Sequence, residues 1–425
     1  MENVLILKGN ILYSENKDTI VCKANSYLVS KDGVVAGVFE KLPAEYAACP
    51  VTDYGDKLIL PGMVDMHIHA PQFSFRGNGM DLELLPWLNT YTFPEEAKFE
   101  NLDYAKKAYG YFADRMKKSA TTRAVIFATR HREATLLLMD LMEQTGLDTF
   151  IGKINMDRES IPELMDKGPL DSAYSTFGWI NEAMKRFKLS KPILTPRFIP
   201  SCSDALMNEL NEIQRTYHIP VQSHLSENPG EVAWVSELCP WSKFYGDAYD
   251  HFGLFGSEGK TVMAHCIFSG EDEIALMKKN GVFVAHCPAS NMNLSSGIAP
   301  IRRYLDENMN VGIGSDVAGG ESESMFRAIV QTIQVSKMYW RYIDETKKPL
   351  TFDEAFYLAT LGGGQFFGKV GSFKEGYAMD AVVIDDSIYP SPIDMTIKQR
   401  IERAVYLSTD INGIVGKFVN GSKVL

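Results

Sequence analysis

Between residues 62 and 316, short β-rich runs alternate with stretches whose apolar residues fall at helical spacing. Eight runs can be read: "GMVDMHIH", "TTRAVIFAT", "TFIGKIN", "ILTPRFIP", "IPVQSHLSE", "KTVMAHC", "VFVAHCP" and "VGIGSD". Helical patterns fall between or after them, at 95–118, 203–217, 270–280 and 324–342. Such alternation demands a parallel sheet, because each helix returns the chain to the start of the next strand. Eight strand–helix repeats match a closed (β/α)8 barrel of the TIM type. Helix-start pairs are expected at Ser269 with Asp272 and at Thr351 with Glu354, and Gly281 is placed to end the first of these helices.

The two ends of the chain read differently. "VLILKGNILYS" and "SYLVSKDGVVAGVFE" near the N-terminus, and "MDAVVIDD" and "GIVGKFVNGSKVL" near the C-terminus, are strand-like, with hairpin signals at Asp32-Gly33 and Asn420-Gly421. The fold class expected is therefore α/β. It combines a small β-sandwich domain built from both termini (1–60 and 378–425) with a catalytic barrel at 61–377.

In a barrel of this kind the chemistry sits at the C-terminal ends of the strands. Here His67, His69, Arg197, His224, Glu227, His265, His286 and Asp316 gather there, although the chain has only eight histidines. His67 and His69 are two apart, so on a strand both imidazoles share one face. As a lone pair they fit a metal or two core histidines bonded to carbonyls equally well. His224 on the fifth strand and Asp316 on the eighth shift the balance. Three imidazole nitrogens and one carboxylate make a first shell that leaves a position for water. Nitrogen donors favour Zn²⁺ or Fe²⁺ over Mg²⁺ or Ca²⁺. The fourth strand offers Arg197 where two-metal barrels commonly carry a carboxylated lysine, so one divalent ion is expected.

A bound metal lowers the pKa of its water from about 15.7 towards 7. Asp316 can take that proton, and Glu227, at a strand-to-loop junction, can carry protons to a substrate. His265 can donate a hydrogen bond to the attacking oxygen. His286 reads as a satisfied core histidine.

The net charge of −11 speaks against a nucleic-acid backbone or an anionic membrane as the principal partner. No apolar run reaches the roughly 20 residues that span a bilayer. "MENVLILKGN" lacks a cationic flank followed by a long apolar core, so no signal peptide is expected. Six scattered cysteines without a C-x-x-C pair fit reduced thiols in a cytoplasm.

The segments "PGMVDMHIH", "SHLSE", "MAHC", "AHCPASNMNLSSG", "GIGSDVAGG" and "GSFKEGYAMDAVVIDD" resemble the amidohydrolase superfamily, in its branch of mononuclear aminohydrolases. Within that branch, "HIHAPQFSF", "LLPWLNTYTFPEE", "TPRFIPSCS" and "QSHLSENPGEV" are similar to members that act on guanine. The resemblance implies hydrolytic deamination of guanine to xanthine by a cytoplasmic homodimer. His67, His69, His224 and Asp316 would bind zinc. Glu227 and Asp316 would move protons, and His265 would assist. Gln72, Arg197 and Phe198 would hold the purine, beside His224, Glu227 and Asp316. Pro71 departs from the family's common "HASQ".

A flat purine needs an apolar slot with a few fixed polar groups. Phe198 and Trp87 offer ring faces, and Phe73 or Phe75 would close the pocket. Residues 70–94 show no clear strand or helix pattern, and a loop of that length reads as a lid. Other substrates of the same branch (S-adenosylhomocysteine, cytosine, a pterin or a triazine) stay open, as does a non-catalytic scaffold on the same barrel.

Overall fold

A computed structural model describes residues 3–425. Each of the eight runs supplies barrel strand: β5 (Met63–His69), β6 (Thr121–Phe127), β7 (Asp148–Gly152) with β8 (Ile154–Asn155), β9 (Ser190–Pro192) with β10 (Thr195–Pro196), β11 (Val221–Leu225), β12 (Thr261–His265), β13 (Phe283–His286) and β14 (Asn310–Ile313). All pairings among them are parallel, in the orders β5-β6-β7-β9, β8-β10 and β11-β12-β13-β14. A bridge between Leu194 and Val221 joins the two halves on one side. On the other, Asp316 N–H donates to His67 O at 2.8 Å and His69 N–H to Val317 O at 3.0 Å. The last strand thus meets the first just where the histidines sit.

Strands such as β6 are buried along their whole length, as expected of a parallel sheet covered by helices. The main core packs Ile126, Met263 and Ile313 of the strands against Phe112, Leu210 and Ile329 of the helices. The helices run close to their expected limits at Asp204–Tyr217, Glu271–Asn280 and Met325–Tyr342. The expected 95–118 helix is broken: Phe93–Ala97 and Leu102–Lys118 are separate, because Asn101 leaves helical geometry and its side chain accepts from the N–H groups of Asp103 and Tyr104. Thr351 and Glu354 form the expected reciprocal cap. Ser269 does not: Gly270 is the N-cap residue and no side chain caps that helix. Gly281 ends it in the left-handed conformation, φ 66°.

Both termini enter one seven-stranded sheet. Its order is β17 (Ser422–Lys423), β16 (Ile414–Val419), β15 (Ala381–Ile384), β4 (Val51–Pro61), β1 (Val4–Asn16), β2 (Thr19–Lys31) and β3 (Val34–Phe39). The two-layered domain expected from the sequence is therefore hydrogen-bonded as a continuous sheet, with bulges in β1 that let it bend. Asp32 and Gly33 turn β2 into β3 with φ of 48° and 80°, as the hairpin signal required. β4 runs straight into β5 through Gly62, where a Cβ would fall 2.1 Å from Thr122 Oγ1. Among the described residues no helix is long and apolar enough to cross a membrane.

Candidate active site

β5 brings His67 and His69 to one place, and β11 brings His224. His69 Nε2 lies 3.1 Å from His67 Nε2 and 3.3 Å from His224 Nε2. Asp316 Oδ1 is 3.2 Å from His67 Nε2 and 3.4 Å from His69 Nε2. His224 Nδ1–H donates to the carbonyl of Arg197 at 2.7 Å, which leaves its Nε2 as a bare lone pair aimed at the others. Burial, with His67 adjacent, holds His69 and His224 well below the ordinary imidazole pKa, so both are neutral. A lone pair aimed at two further imidazole nitrogens and a carboxylate forms the donor set a cation requires. Ligands about 2.0–2.1 Å from a tetrahedral zinc ion stand about 3.3 Å from each other, which is the spacing seen. The residues present fit a divalent metal.

Asp316 is buried, a cost for a carboxylate, yet His67, His265 and His69 hold it well below the usual carboxylate range. Asp65, behind it on β5, accepts from Ser315 N–H, Ser315 Oγ and His67 N–H at 3.0, 2.6 and 3.2 Å. It ties the first strand to the eighth. Ser226, His265, Cys266 and Asp316 all take positive φ, between 48° and 73°. Left-handed backbone at non-glycine residues is strained and clusters at functional sites; here it turns the chain sharply off three strand ends.

Glu227 stands across from the imidazoles. Its Oε2 is 3.4 Å from His265 Nε2, and its Oε1 accepts from Ser296 Oγ at 3.2 Å. Burial, then the Asp316 charge, pushes its carboxyl up to about 8. His265 Nδ1–H donates to Asn291 Oδ1 at 2.8 Å, so its Nε2 faces Glu227 and, at 3.7 Å, Asp316 Oδ2. Glu231 lies under Glu227, accepting from its N–H at 3.0 Å and from Tyr245 OH at 2.7 Å; burial and Glu227 push it up to about 7.

A pocket of about 470 Å³ opens above this cluster, lined by His69, Gln72, Trp87, Arg197, Phe198, His224, Glu227, His265 and Asp316, with Leu84, Leu88 and Leu294 as apolar wall. Every residue expected at the metal, proton-transfer and purine positions, except His67 beneath, borders this one space. Phe73 and Phe75 do not. Phe73 packs on Phe112 and Phe75 on Trp87, so they support the wall from behind. The stretch 70–94 is not patternless either: it folds as short helical turns at Ala70–Phe75, Leu84–Trp87 and Leu88–Thr92. Their brevity hides the helical period. His286 borders a separate cavity against the helix Met325–Tyr342 and is buried and neutral, pushed down to about 3. It is a core histidine, as expected, but not a satisfied one: among the described residues its buried Nδ1 has no hydrogen-bond partner.

Sequence reasoning missed Asp65, Glu96, Glu231, Asn291 and Ser296. Among them only Glu96 had even a partial signal: a buried Arg197 requires an acidic partner somewhere, which calls for a carboxylate without saying which one.

Residues 58–424 match the amidohydrolase family. The guanine deaminase of Dictyostelium discoideum is 39% identical over 382 residues, covering 88% of this chain and 84% of that protein. The Homo sapiens guanine deaminase is 39% identical over 403 residues, 91% of this chain and 87% of that one. Among solved structures, a guanine deaminase from C. acetobutylicum with guanine bound in its active site superposes with a TM-score of 0.96 at 46% identity, each chain fully covered.

Proposed function

The chain belongs to the amidohydrolase family, and from that premise we propose that it hydrolyses guanine to xanthine and ammonia. The observation that carries this reading is one pocket holding three kinds of group. These are the imidazole–aspartate cluster, a buried carboxylic acid whose pKa is pushed up to about 8, and an arginine–glutamine edge. The named relatives, and the guanine in the C. acetobutylicum structure, support the choice of substrate.

His67, His69, His224 and Asp316 would hold one divalent ion, Zn²⁺ in our reading, with Fe²⁺ compatible with the same donors. When bound, such an ion lowers the pKa of water towards 7 and supplies the nucleophile. The residues of the chain do the rest. Asp316 takes the proton of the attacking water at Oδ2, the oxygen turned towards His265. His265 Nε2, between Asp316 and Glu227, orients the attacking oxygen. Glu227 starts protonated, gives its proton to the ring nitrogen beside the carbon under attack, and then helps deliver a proton to the departing amine. Arg197 and Gln72 fix the oxo edge, and Trp87 and Phe198 flank the ring plane. The same reading includes a homodimer and a cytoplasmic location.

The test is metal analysis joined to ammonia release from guanine, adenine, cytosine and S-adenosylhomocysteine. One ion per chain and release from guanine alone are expected. No release from any of them returns the chain to a non-catalytic scaffold. Glu227→Gln should keep metal and guanine binding but lose about 10²–10⁴-fold in turnover. Undiminished release by that variant removes Glu227 from the mechanism.

A further inference from the structure

Arg197 and Gln72 come from different strand ends, yet one carboxylate holds both. Glu96, on the short helix Phe93–Ala97, is 1% exposed, and Arg197 is 3% exposed. Arg197 donates Nη1–H to Glu96 Oε2 at 2.6 Å and Nη2–H to Oε1 at 3.2 Å. Gln72 Nε2–H donates to the same Oε1 at 2.9 Å. Phe93, one turn before Glu96, lies 5.3 Å from the guanidinium, so a single helical turn grips it from two sides.

This arrangement decides what the pocket can recognise. An amide can normally exchange its oxygen and nitrogen by flipping. Here Gln72 Oε1 accepts from Ala318 N–H at 3.1 Å while Nε2 faces a carboxylate. A flip would set donor against donor and acceptor against acceptor. Gln72 is therefore locked with one N–H and one oxygen lone pair to offer. Arg197 gives two of its five N–H groups to Glu96 and keeps donors for a ligand. The edge presented is rich in donors and has its charge already balanced.

We propose that Glu96 is a specificity-determining positioning residue. Without touching the ring, it makes Arg197 and Gln72 present donors that accept a purine bearing a 6-oxo group and refuse one bearing a 6-amino group. A 6-amino purine would turn N–H groups towards the remaining Arg197 N–H groups and leave those buried donors unpaired, a mismatch that discriminates strongly in a buried site. This inference rests on the guanine reading above. 2,6-Diaminopurine is the matched probe, since it keeps the reacting 2-amino group and reverses the 6-edge: the 6-oxo group with its N1–H becomes a 6-amino group with a bare N1.

The experiment compares kcat and KM for guanine and for 2,6-diaminopurine in the wild type, Glu96→Gln and Glu96→Asp, with metal content and melting temperature measured on each. The wild type should prefer guanine by about 10⁴-fold. In Glu96→Gln the guanine KM should rise about 10²-fold with the smaller change in kcat, while 2,6-diaminopurine changes less, so the preference collapses. Metal content should stay unchanged. Glu96→Asp keeps the charge and should restore part of the preference; it also serves if Glu96→Gln fails to fold. Equal loss on both substrates, an unchanged preference in a folded variant, or a wild type indifferent to the two purines overturns the role of Glu96. A wild type that leaves guanine untouched overturns the functional reading instead.

Discussion

Each end of the barrel buries an arginine, and the two are used differently. At the C-terminal end, Arg197 meets one carboxylate and keeps donors facing a pocket. At the N-terminal end, Arg123 of β6 is closed in. It donates Nε–H and Nη2–H to Asp380 at 2.6 and 3.2 Å and Nη2–H to Asn420 Oδ1 at 2.7 Å, and its Nη1 lies 2.5 Å from Asp148 Oδ2. Asp380 immediately precedes β15 and Asn420 sits in the turn between β16 and β17, so this arginine fastens barrel to sheet. The same guanidinium chemistry serves recognition where its donors are left over and cohesion where they are consumed. The division follows the barrel rule that function collects at one end of the strands and stability at the other.

The largest effect should come from the closed end. Arg123→Met leaves Asp380 without its cation, while Asp148 keeps Lys191 Nζ at 2.7 Å; losing one side of a buried ion pair costs about 3–5 kcal/mol. Urea denaturation should show that loss, while kcat/KM for guanine per folded molecule stays at the wild-type level. At the open end the paired replacement Arg197→Met with Glu96→Leu removes both charges together. Stability should change by about 1 kcal/mol or less, whereas guanine kcat/KM should fall by about 10² or more. If the Arg123 variant lost activity per folded molecule, or if the double variant unfolded, the two ends would not divide the work in this way.

The sequence reveals the two ends unequally. Parity and strand ends are enough to bring His67, His69, His224 and Asp316 together, because period-two alternation in a closed barrel leaves those side chains nowhere else to point. His265 is legible from its strand end and Glu227 from its strand-to-loop junction, although alternation alone would turn Glu227 away from His224; the left-handed Ser226, φ 48°, brings it back. Glu96 is not. In "TFPEEAKF" it sits beside Glu95, which instead bonds Lys98 and Tyr104, and nothing in spacing tells the two apart. The choice is made by the break at Asn101 and by the brief helical turns before it, which aim one glutamate inwards. Phe73 and Phe75 were expected at the pocket because aromatic composition carries no direction; the packing of Ala70–Phe75 turns them behind the wall. The Arg123 cluster joins residues 257 and 297 positions apart, a pairing that no local pattern records.

The most gradual effect, smallest at any single step of pH, tests whether the closed end is also closed to solvent protons. Lys417 of β16 is wholly buried. Its Nζ donates to the carbonyls of Met116, Lys117 and Ser119 at 3.0, 3.3 and 3.0 Å, capping the helix Leu102–Lys118. Burial pushes its pKa down from 10.5 to about 7, with Asp380 opposing and Lys117 adding to the fall. Below pH 7 the lysine is charged in both folded and unfolded chains, and the full cost of burying the ammonium is felt. Between pH 7 and 10.5 the unfolded chain holds a proton that the folded one lacks, so this group makes stability rise with pH. The slope from one proton is at most about 1.4 kcal/mol per pH unit. Denaturation of the wild type and of Lys417→Met across that range should give a difference that climbs in favour of the wild type. A difference that stays level would mean the three carbonyls keep the ammonium charged. Lys417 would then resemble Arg123, a cation whose buried charge is fully met, and the N-terminal end would carry no proton-linked contribution to stability from this lysine.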